Sequence, residues 1–278
     1  MKSKLVLKKI AVHGALLLFA GFLIFPLLWM LSTSFKPTPE IYSGRPAVFP
    51  QKISVEHYAA VIEGEKIFRS IWNSFVVGIA STVLVVAIAL PAAYALVRFK
   101  SVFNNLMLGW ILVSQIFPVI LIMVPLYIVL RSLRLTDSLL GLTLVYVVWG
   151  LPFVLWMLHG YLKGIPVDLE EAAAIDGATR TQIIYRVLMP LLLPAIGAAM
   201  LFAFISAWNE FFFALVLMKS PNAVTLPVEL ARFTGMEGLA RTGPLAAASL
   251  IATIPSLALF AVMQKWFASG LLAGAVKN

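Results

Sequence analysis

The chain has no cysteine among its 278 residues. Disulfides, thiolate metal sites and thiol nucleophiles are therefore excluded. Charge is scarce as well: 12% of residues are Asp, Glu, Lys or Arg, against about a quarter in soluble domains. Histidine is limited to His13, His57 and His159, far apart and without metal-ligand spacing. No segment reads G-x-x-x-x-G-K-[S/T], so a phosphate-cradling loop is missing. What is abundant is apolar: 62% hydrophobic residues and a mean hydropathy of +0.98. Neither a water-soluble globule nor a disordered chain has that composition.

The charges are clumped, leaving six charge-free stretches at 10–35, 70–97, 101–130, 138–162, 187–209 and 242–264. A helix crosses the hydrocarbon core in about 20 apolar residues, and each stretch exceeds that. The pattern predicts one all-α, polytopic membrane domain over 1–278 with six transmembrane helices, at about 11–32, 72–96, 104–130, 141–162, 190–218 and 244–266. Its first apolar run passes through Phe25, Pro26 and Leu27 without an A-x-A-like cleavage site and reads as an uncleaved helix. None of the segments between spans is long enough for a soluble catalytic domain. Any ATP-driven work would need a site on another polypeptide.

The net charge of +9 does not point to nucleic acid, because the basic residues flank spans rather than interleaving with exposed aromatics. Lys2, Lys4, Lys8 and Lys9 precede the first span and place the N-terminus in the cytoplasm by the positive-inside rule; six spans then return the C-terminus there. On this orientation 34–70 and 219–243 face outward and 163–189 faces the cytoplasm. The 34–70 segment is rich in Pro37, Pro39, Gly44, Pro46 and Pro50, with one short helix expected from an N-cap at Ser54. Trp72, Trp110, Trp149, Trp208 and Trp266 are interface anchors or packing residues, and sequence does not separate the two.

The cytoplasmic segment has the most specified pattern. Asp168 precedes Leu169-Glu170-Glu171-Ala172-Ala173-Ala174-Ile175 and reads as an N-cap with Glu171 in capping-box position. Gly177 permits the left-handed turn that stops the helix. A second helical segment runs from Thr179 to Val187 and enters the fifth span through Met189-Pro190. This is a helix-turn-helix along the membrane face, with a small-residue surface suited to a groove on a partner.

Glu171-Ala172-Ala173, Gly177 after three residues, and Val187-Leu188-Met189-Pro190 after nine more follow the pattern E-A-A-x3-G-x9-I-x-L-P, with Val for Ile and Met for Leu. The chain thereby resembles the membrane subunits of binding-protein-dependent ABC importers. Leu169 through Ala178, Lys36-Pro37, Trp72-Asn73-Ser74 and Ala207-Trp208-Asn209-Glu210 resemble the carbohydrate branch. The ending Gly270 to Lys277 is similar to the second permease subunit of maltose and related oligosaccharide importers. The resemblance covers nearly the whole chain and implies the type I importer permease fold. It implies a coupling site of Glu171, Ala172, Ala173, Asp176, Gly177 and Pro190 that docks on a cytoplasmic ATPase dimer. ATP and Mg would be held there rather than on this chain. It also implies a second, homologous permease subunit, an extracytoplasmic sugar-binding protein, a sugar substrate and a lipid-embedded location in the inner membrane. Glu171 is then either a helix cap or the acid that pairs with a basic ATPase residue, and the full motif favours the second.

Other residues retain two readings each. Glu210, after Asn209, is a pathway or gate residue, or a hydrogen-bonded structural acid near the outer boundary. Gln115, with Ser114 and Pro118 beside it, marks a kink or a pathway lining. Ala199, Ala203 and Ala207 recur every four residues and serve packing within the chain or against the second subunit. The 219–243 loop, with Pro221, Gly235 and Gly238, is a connector or reaches the binding protein. By resemblance, the tail around Gly274 and Lys277 contacts the ATPase, or else it is a frayed end. His13 and His159 read as interfacial or packed. A secondary transporter would show ionisable residues within its helices and inverted repeats, whereas here there is one marginal Glu and no clear repeat. A membrane enzyme would need a His/Asp/Glu cluster or a nucleophile motif, and neither is present in the sequence.

Overall fold

In the computed structural model the described residues are 2–44, 47–64, 66–99, 101–234 and 241–275, with side chains described from residue 8 to 264 apart from Asn105 and Met263. Pro46, Gly235, Gly238 and Lys277, all named above, lie outside them. The helices are α1 (Lys2–Ser34), α2 (Thr38–Ile41), α3 (Glu56–Glu63), α4 (Lys66–Arg98), α5 (Asn104–Ser114), α6 (Val119–Ser132), α7 (Leu139–Lys163), α8 (Asp168–Ile175), α9 (Arg180–Gln182), α10 (Met189–Trp208), α11 (Phe212–Leu217), α12 (Leu226–Ala231) and α13 (Thr242–Ala275). No strand occurs among the described residues. Five helical stretches are long and apolar enough to cross a membrane, and the bent pair α5 and α6 passes the same test only when its two helices are taken together.

The chain forms two compact units: residues 1–68 with 229–253, and residues 69–228 with 254–278. In the first unit, the segment after α1 is tied to the end of that helix. Ser34 Oγ bonds the Tyr58 hydroxyl at 2.9 Å, and the Ser54 amide donates to the Phe35 carbonyl at 2.8 Å. Lys36 is buried, with its ammonium on the Ala47 carbonyl and over the Trp29 ring. Glu56 accepts from both the amide and the hydroxyl of Thr38, at 2.7 and 2.6 Å, and the Thr38 bonds hold its carboxyl below the ordinary range. Ser54 does bond the Glu56 amide, at 3.3 Å, but α3 starts one residue later than an N-cap at Ser54 predicts. The apolar surface of α1 is exposed all round within the described chain, as expected of a helix whose solvent is hydrocarbon or a partner.

In the second unit α4, α7 and α10 share one core. Val85, Ala89, Ala93, Val154, Leu158, Ala195, Ala199 and Ala203 belong to it. Ala199 and Ala203 are buried within the chain, so those two small residues serve internal helix approach. Trp208 is also buried and stacks on Phe204 at 5.5 Å, which makes it a packing residue; Trp72 and Trp110 are exposed.

The third apolar stretch is not one helix. The 104–130 region breaks between Ser114 and Val119, with α5 and α6 inclined at 94°. Pro118 has no N–H to continue the ladder and disfavours helical backbone at Phe117, which is sufficient cause. The fifth stretch also breaks, after Trp208, and resumes as α11.

Between α6 and α7 the backbone turns with Arg134 and Asp137 at φ of 57° and 55°. Aspartate tolerates this left-handed conformation better than most residues. Gly141 follows, where a Cβ would collide with the Leu135 carbonyl oxygen. Asp137 Oδ1 accepts the amides of Ser220 and Lys219 at 3.0 and 2.8 Å, and its own amide donates to the Leu217 carbonyl at 3.0 Å. These bonds, that from Ser220 foremost, lower the Asp137 pKa. A carboxyl whose folded pKa is depressed adds stability above its unfolded pKa, and that stability is lost as pH falls through the folded value. We expect Asp137→Ala to lower unfolding stability in detergent by about 1 kcal/mol at pH 7. The deficit should shrink as pH falls through the depressed folded pKa, and Asp137→Asn, a neutral acceptor like the protonated acid, should keep only the part of the stability that does not depend on pH. A deficit that is independent of pH would contradict this role.

Candidate functional site

The motif segment between α7 and α10 rests on a small core of Leu162, Ile165, Leu188 and Leu192. From Arg180 onward the chain is helical, but residues Ile183–Leu188 are wound as a π-helix. In that wider turn residues five apart share a face, so Ile183 and Leu188 are both buried. The α9 start carries a full capping box: the Thr179 hydroxyl accepts the Gln182 amide, and the Gln182 side chain accepts the Thr179 amide at 2.8 Å.

The expected capping box at Asp168 and Glu171 is corrected by the structure. Asp168 is already the first helical residue, and Val167 precedes it with helical dihedrals and no side-chain cap. The Val167 carbonyl takes the Glu170 and Glu171 amides at 2.8 and 3.1 Å. The acids in this first turn still sit favourably at the positive end of the helix dipole. The Gly177 expectation agrees with the geometry: φ is +84°, the Ala178 amide reaches the Ala173 carbonyl and the Gly177 amide the Ala174 carbonyl, both at 3.0 Å. This is a Schellman termination.

Two adjacent acids, one helical residue apart, take opposite duties. Glu170 turns inward: Arg98 Nε donates to its Oε1 at 2.5 Å and the Tyr94 hydroxyl to its Oε2 at 3.2 Å. Glu171 is exposed, and its carboxylate has no hydrogen-bond or ion-pair partner among the described residues. Ala172, Asp176 and Gly177 are exposed beside it, Ala173 is half-buried, and Ile175 is 86% exposed. Leu169 and Val167 are exposed too, so the surface joins unpaired acid to apolar side chains. Pro190 stands in the first turn of α10, where its missing N–H costs nothing.

Elsewhere the structure brings Gln115 and Glu210 to one cavity of about 260 Å³, lined also by Ser81, Tyr146, Trp149 and Phe153. Asn209 is not in that lining; its amide donates to the Ile205 carbonyl at 2.9 Å. Gln115 lies at the α5–α6 break and reaches the Trp149 carbonyl at 3.4 Å. Glu210 holds the second break together. Its carboxylate accepts the Phe213 amide at 2.8 Å, the Ala214 amide at 3.2 Å and the Tyr146 hydroxyl at 2.8 Å. The hydrogen-bonded reading of Glu210 is thus present in the geometry, alongside its place in the lining. Gly274 lies in the last turn of α13. No group of three or more potential metal ligands occurs among the described residues.

Sequence reasoning missed Arg98, Tyr94, Glu170 and Tyr146. No local pattern marks them, since their partners lie 64 to 76 residues away.

The described residues thus combine membrane-length apolar helices, one of them a bent pair, with a short exposed acidic helix, α8, between two of them. The chain belongs to the family of binding-protein-dependent transport system inner membrane components, whose model matches residues 85–273. It is 38% identical over 264 residues to a diacetylchitobiose uptake system permease protein of Streptomyces coelicolor, covering 95% of each chain. It is 35% identical over 275 residues to a trehalose/maltose transport system permease protein of Thermococcus litoralis, covering 98% of each. A chain in the crystal structure of a bacterial ABC transporter that imports the acidic polysaccharide alginate superposes with a TM-score of 0.79 at 25% identity, over 94% of this chain and 97% of that one.

The three bonds on Glu210 make a specific expectation. Glu210→Ala should cost about 1–3 kcal/mol of stability, because two amides and a hydroxyl lose their acceptor. Glu210→Gln, which keeps one acceptor oxygen, should cost less and leave uptake largely intact. Abolished uptake in a stably folded Glu210→Gln protein would instead mark a required ionised carboxylate.

Proposed function

We propose that this chain is one of two permease subunits of an ATP-driven sugar importer, and that α8 with the Gly177 turn is its docking element for a cytoplasmic ATPase. The observation that carries this reading is the division of labour in α8. Glu170 is spent on the chain's own Arg98, while Glu171 stands exposed and unpaired next to Ile175. An unpaired acid beside exposed apolar groups is suited to a basic, partly apolar cleft on a partner.

On this reading both termini are cytoplasmic, and ATP and Mg are held by a pair of ATPase subunits. A binding protein delivers the sugar from outside, and closure of the ATPase pair switches the pathway between its two openings. The sugar class is supported by the relatives named for diacetylchitobiose and trehalose/maltose uptake. The cavity at Gln115 and Trp149 falls below the roughly 300–1,000 Å³ of complete small-molecule sites. It therefore suits one wall of a pathway whose other wall is the second permease. Gln115, at the interrupted backbone, is the pathway residue we favour; Gly274 and Lys277 of the tail are weaker candidates for ATPase contact.

The test is sugar uptake and ATPase activity in proteoliposomes holding the full complex. Glu171→Ala should leave membrane insertion unchanged and weaken ATPase association by about tenfold, as loss of one charged contact at an interface does. At Gly177 there is open space for a side chain, so the strain is purely in the backbone. Gly177→Val should therefore uncouple uptake from ATP hydrolysis, and Gly177→Asn, which tolerates the left-handed region, should be milder. Wild-type uptake and stimulated ATPase activity in both Glu171→Ala and Gly177→Val would refute the docking role. Uptake driven by an ion gradient without ATP would refute the importer reading altogether.

A further inference from the structure

The part of α4 from Asn73 to Arg98 is gripped at both ends. At one end Arg98 Nε meets Glu170 of α8 at 2.5 Å, and its Nη2 donates to the Ile165 carbonyl at 3.1 Å. The Tyr94 hydroxyl, one turn back, holds the other oxygen of Glu170 at 3.2 Å. The Arg98 and Glu170 side chains are only 9% and 12% exposed, so the pair is largely shielded from water and from screening. At the other end Asn73 Nδ2 donates to the carbonyls of Asn222 and Val224, both at 2.9 Å, and Ser74 Oγ accepts the Leu226 amide at 2.8 Å. Asn73 and Ser74 are both buried. Each latch therefore fastens a different polar segment of the chain to the same helix.

Asn73 and Arg98 are 25 residues apart, about 37 Å along a helix axis, which exceeds the hydrocarbon thickness of about 30 Å. Between them the helix is unbroken, Pro91 included. It is seated on its neighbours through Val77, Val85, Ala89 and Ala93, all buried, and Gly78 lets it close on the Phe204 ring. A competing route is α7, unbroken from Leu139 to Lys163, whose preceding turn holds the Lys219 and Ser220 amides on Asp137. Those bonds are exposed to water, whereas the Asn73 and Ser74 bonds are buried or partly buried, and α7 reaches α8 only through residues 164–167. Another is α10, which is also continuous with the α8 turn. It changes winding at 183–188 and stops at Trp208, so no single regular helix runs from α8 to 222–226 by that route.

We infer that α4 is the rod that carries movement of the docking helix α8 to segment 219–226 on the opposite membrane face, with Arg98, Tyr94, Asn73 and Ser74 as its positioning residues. The inference rests on the reading of α8 as the ATPase-docking helix. A rigid element fixed at both ends moves its two attachments together, and helix shifts of about 1–2 Å are enough to switch packed elements. Segment 219–226 would then present one arrangement to the extracytoplasmic partner before ATPase closure and another after it.

The experiment is hydrogen–deuterium exchange on the complete complex in nanodiscs, with and without ATP and vanadate, alongside uptake in proteoliposomes. In the wild-type complex the nucleotide should alter exchange at both 168–176 and 219–226. Arg98→Glu sets two acids against each other at α8 and should weaken the first response, lose the second, and lower uptake about tenfold, within the 5–150-fold range of intersite coupling. The double variant Arg98→Glu with Glu170→Arg restores the pair with reversed polarity, and it should regain both responses and uptake to within about threefold. Asn73→Ala should remove the response at 219–226 while leaving that at 168–176.

A response at 219–226 that survives in Arg98→Glu, or a folded double variant that fails to regain it, overturns the rod and leaves the docking reading standing. Absence of any nucleotide response at 168–176 in the wild-type complex overturns the docking reading and the rod with it.

Discussion

Hydrocarbon offers no hydrogen bonds, and the rest of this structure follows from that constraint. Every backbone group at membrane depth must find its partner inside the protein, so apolar stretches are helical wherever they are continuous. Interruptions are tolerated only where protein groups complete the bonding. The break after Trp208 obeys this. At 209–211 the carboxylate of Glu210 takes up two amides of the next helix and a tyrosine hydroxyl. At 115–118 the residue that breaks the ladder is a proline with no N–H to satisfy, and a glutamine lies beside it. The two breaks meet at one cavity, lined by Gln115 from the first and Glu210 from the second.

The same economy appears at the ends of the spans. Polar segments outside the apolar stretches are fastened by a few side chains that each make more than one bond. Asn73 spends its amide on two carbonyls, Asp137 one oxygen on two amides, and Arg98 bonds a carboxylate and a carbonyl. The charged latch is the costly one, because removing one partner of a shielded pair strands the other charge. Its value lies in direction: an arginine with a fixed donor geometry holds α8 in one orientation and so decides which acid of α8 remains free.

That choice shows where reading the sequence stops. Glu170 and Glu171 are identical residues on the same short helix, and helical spacing alone rotates them by about 100°. Motif matching singles out Glu171, and in the structure that residue is exposed. The inward role of Glu170 depends on Arg98, 72 residues earlier, and no periodicity announces it. The capping box was misplaced for a related reason. An Asp followed by Glu at the third residue suits a cap, but the chain after Pro166 enters helical dihedrals already at Val167, while the true box forms at Thr179 and Gln182.

Composition and spacing by themselves determined the class of the protein: six apolar stretches in a charge-poor chain can only be helices in a membrane, and a left-handed position after a short acidic helix calls for the glycine found at 177. These are local properties, set by hydration and by the steric limits of one residue. Tertiary structure alone decided that the third and fifth stretches break, that Gln115 and Glu210 share a cavity, and that α4 is bound at both ends. Those outcomes depend on which distant groups meet, and pairings such as Arg98 with Glu170 or Asn73 with the 222 and 224 carbonyls exist only once the helices have packed.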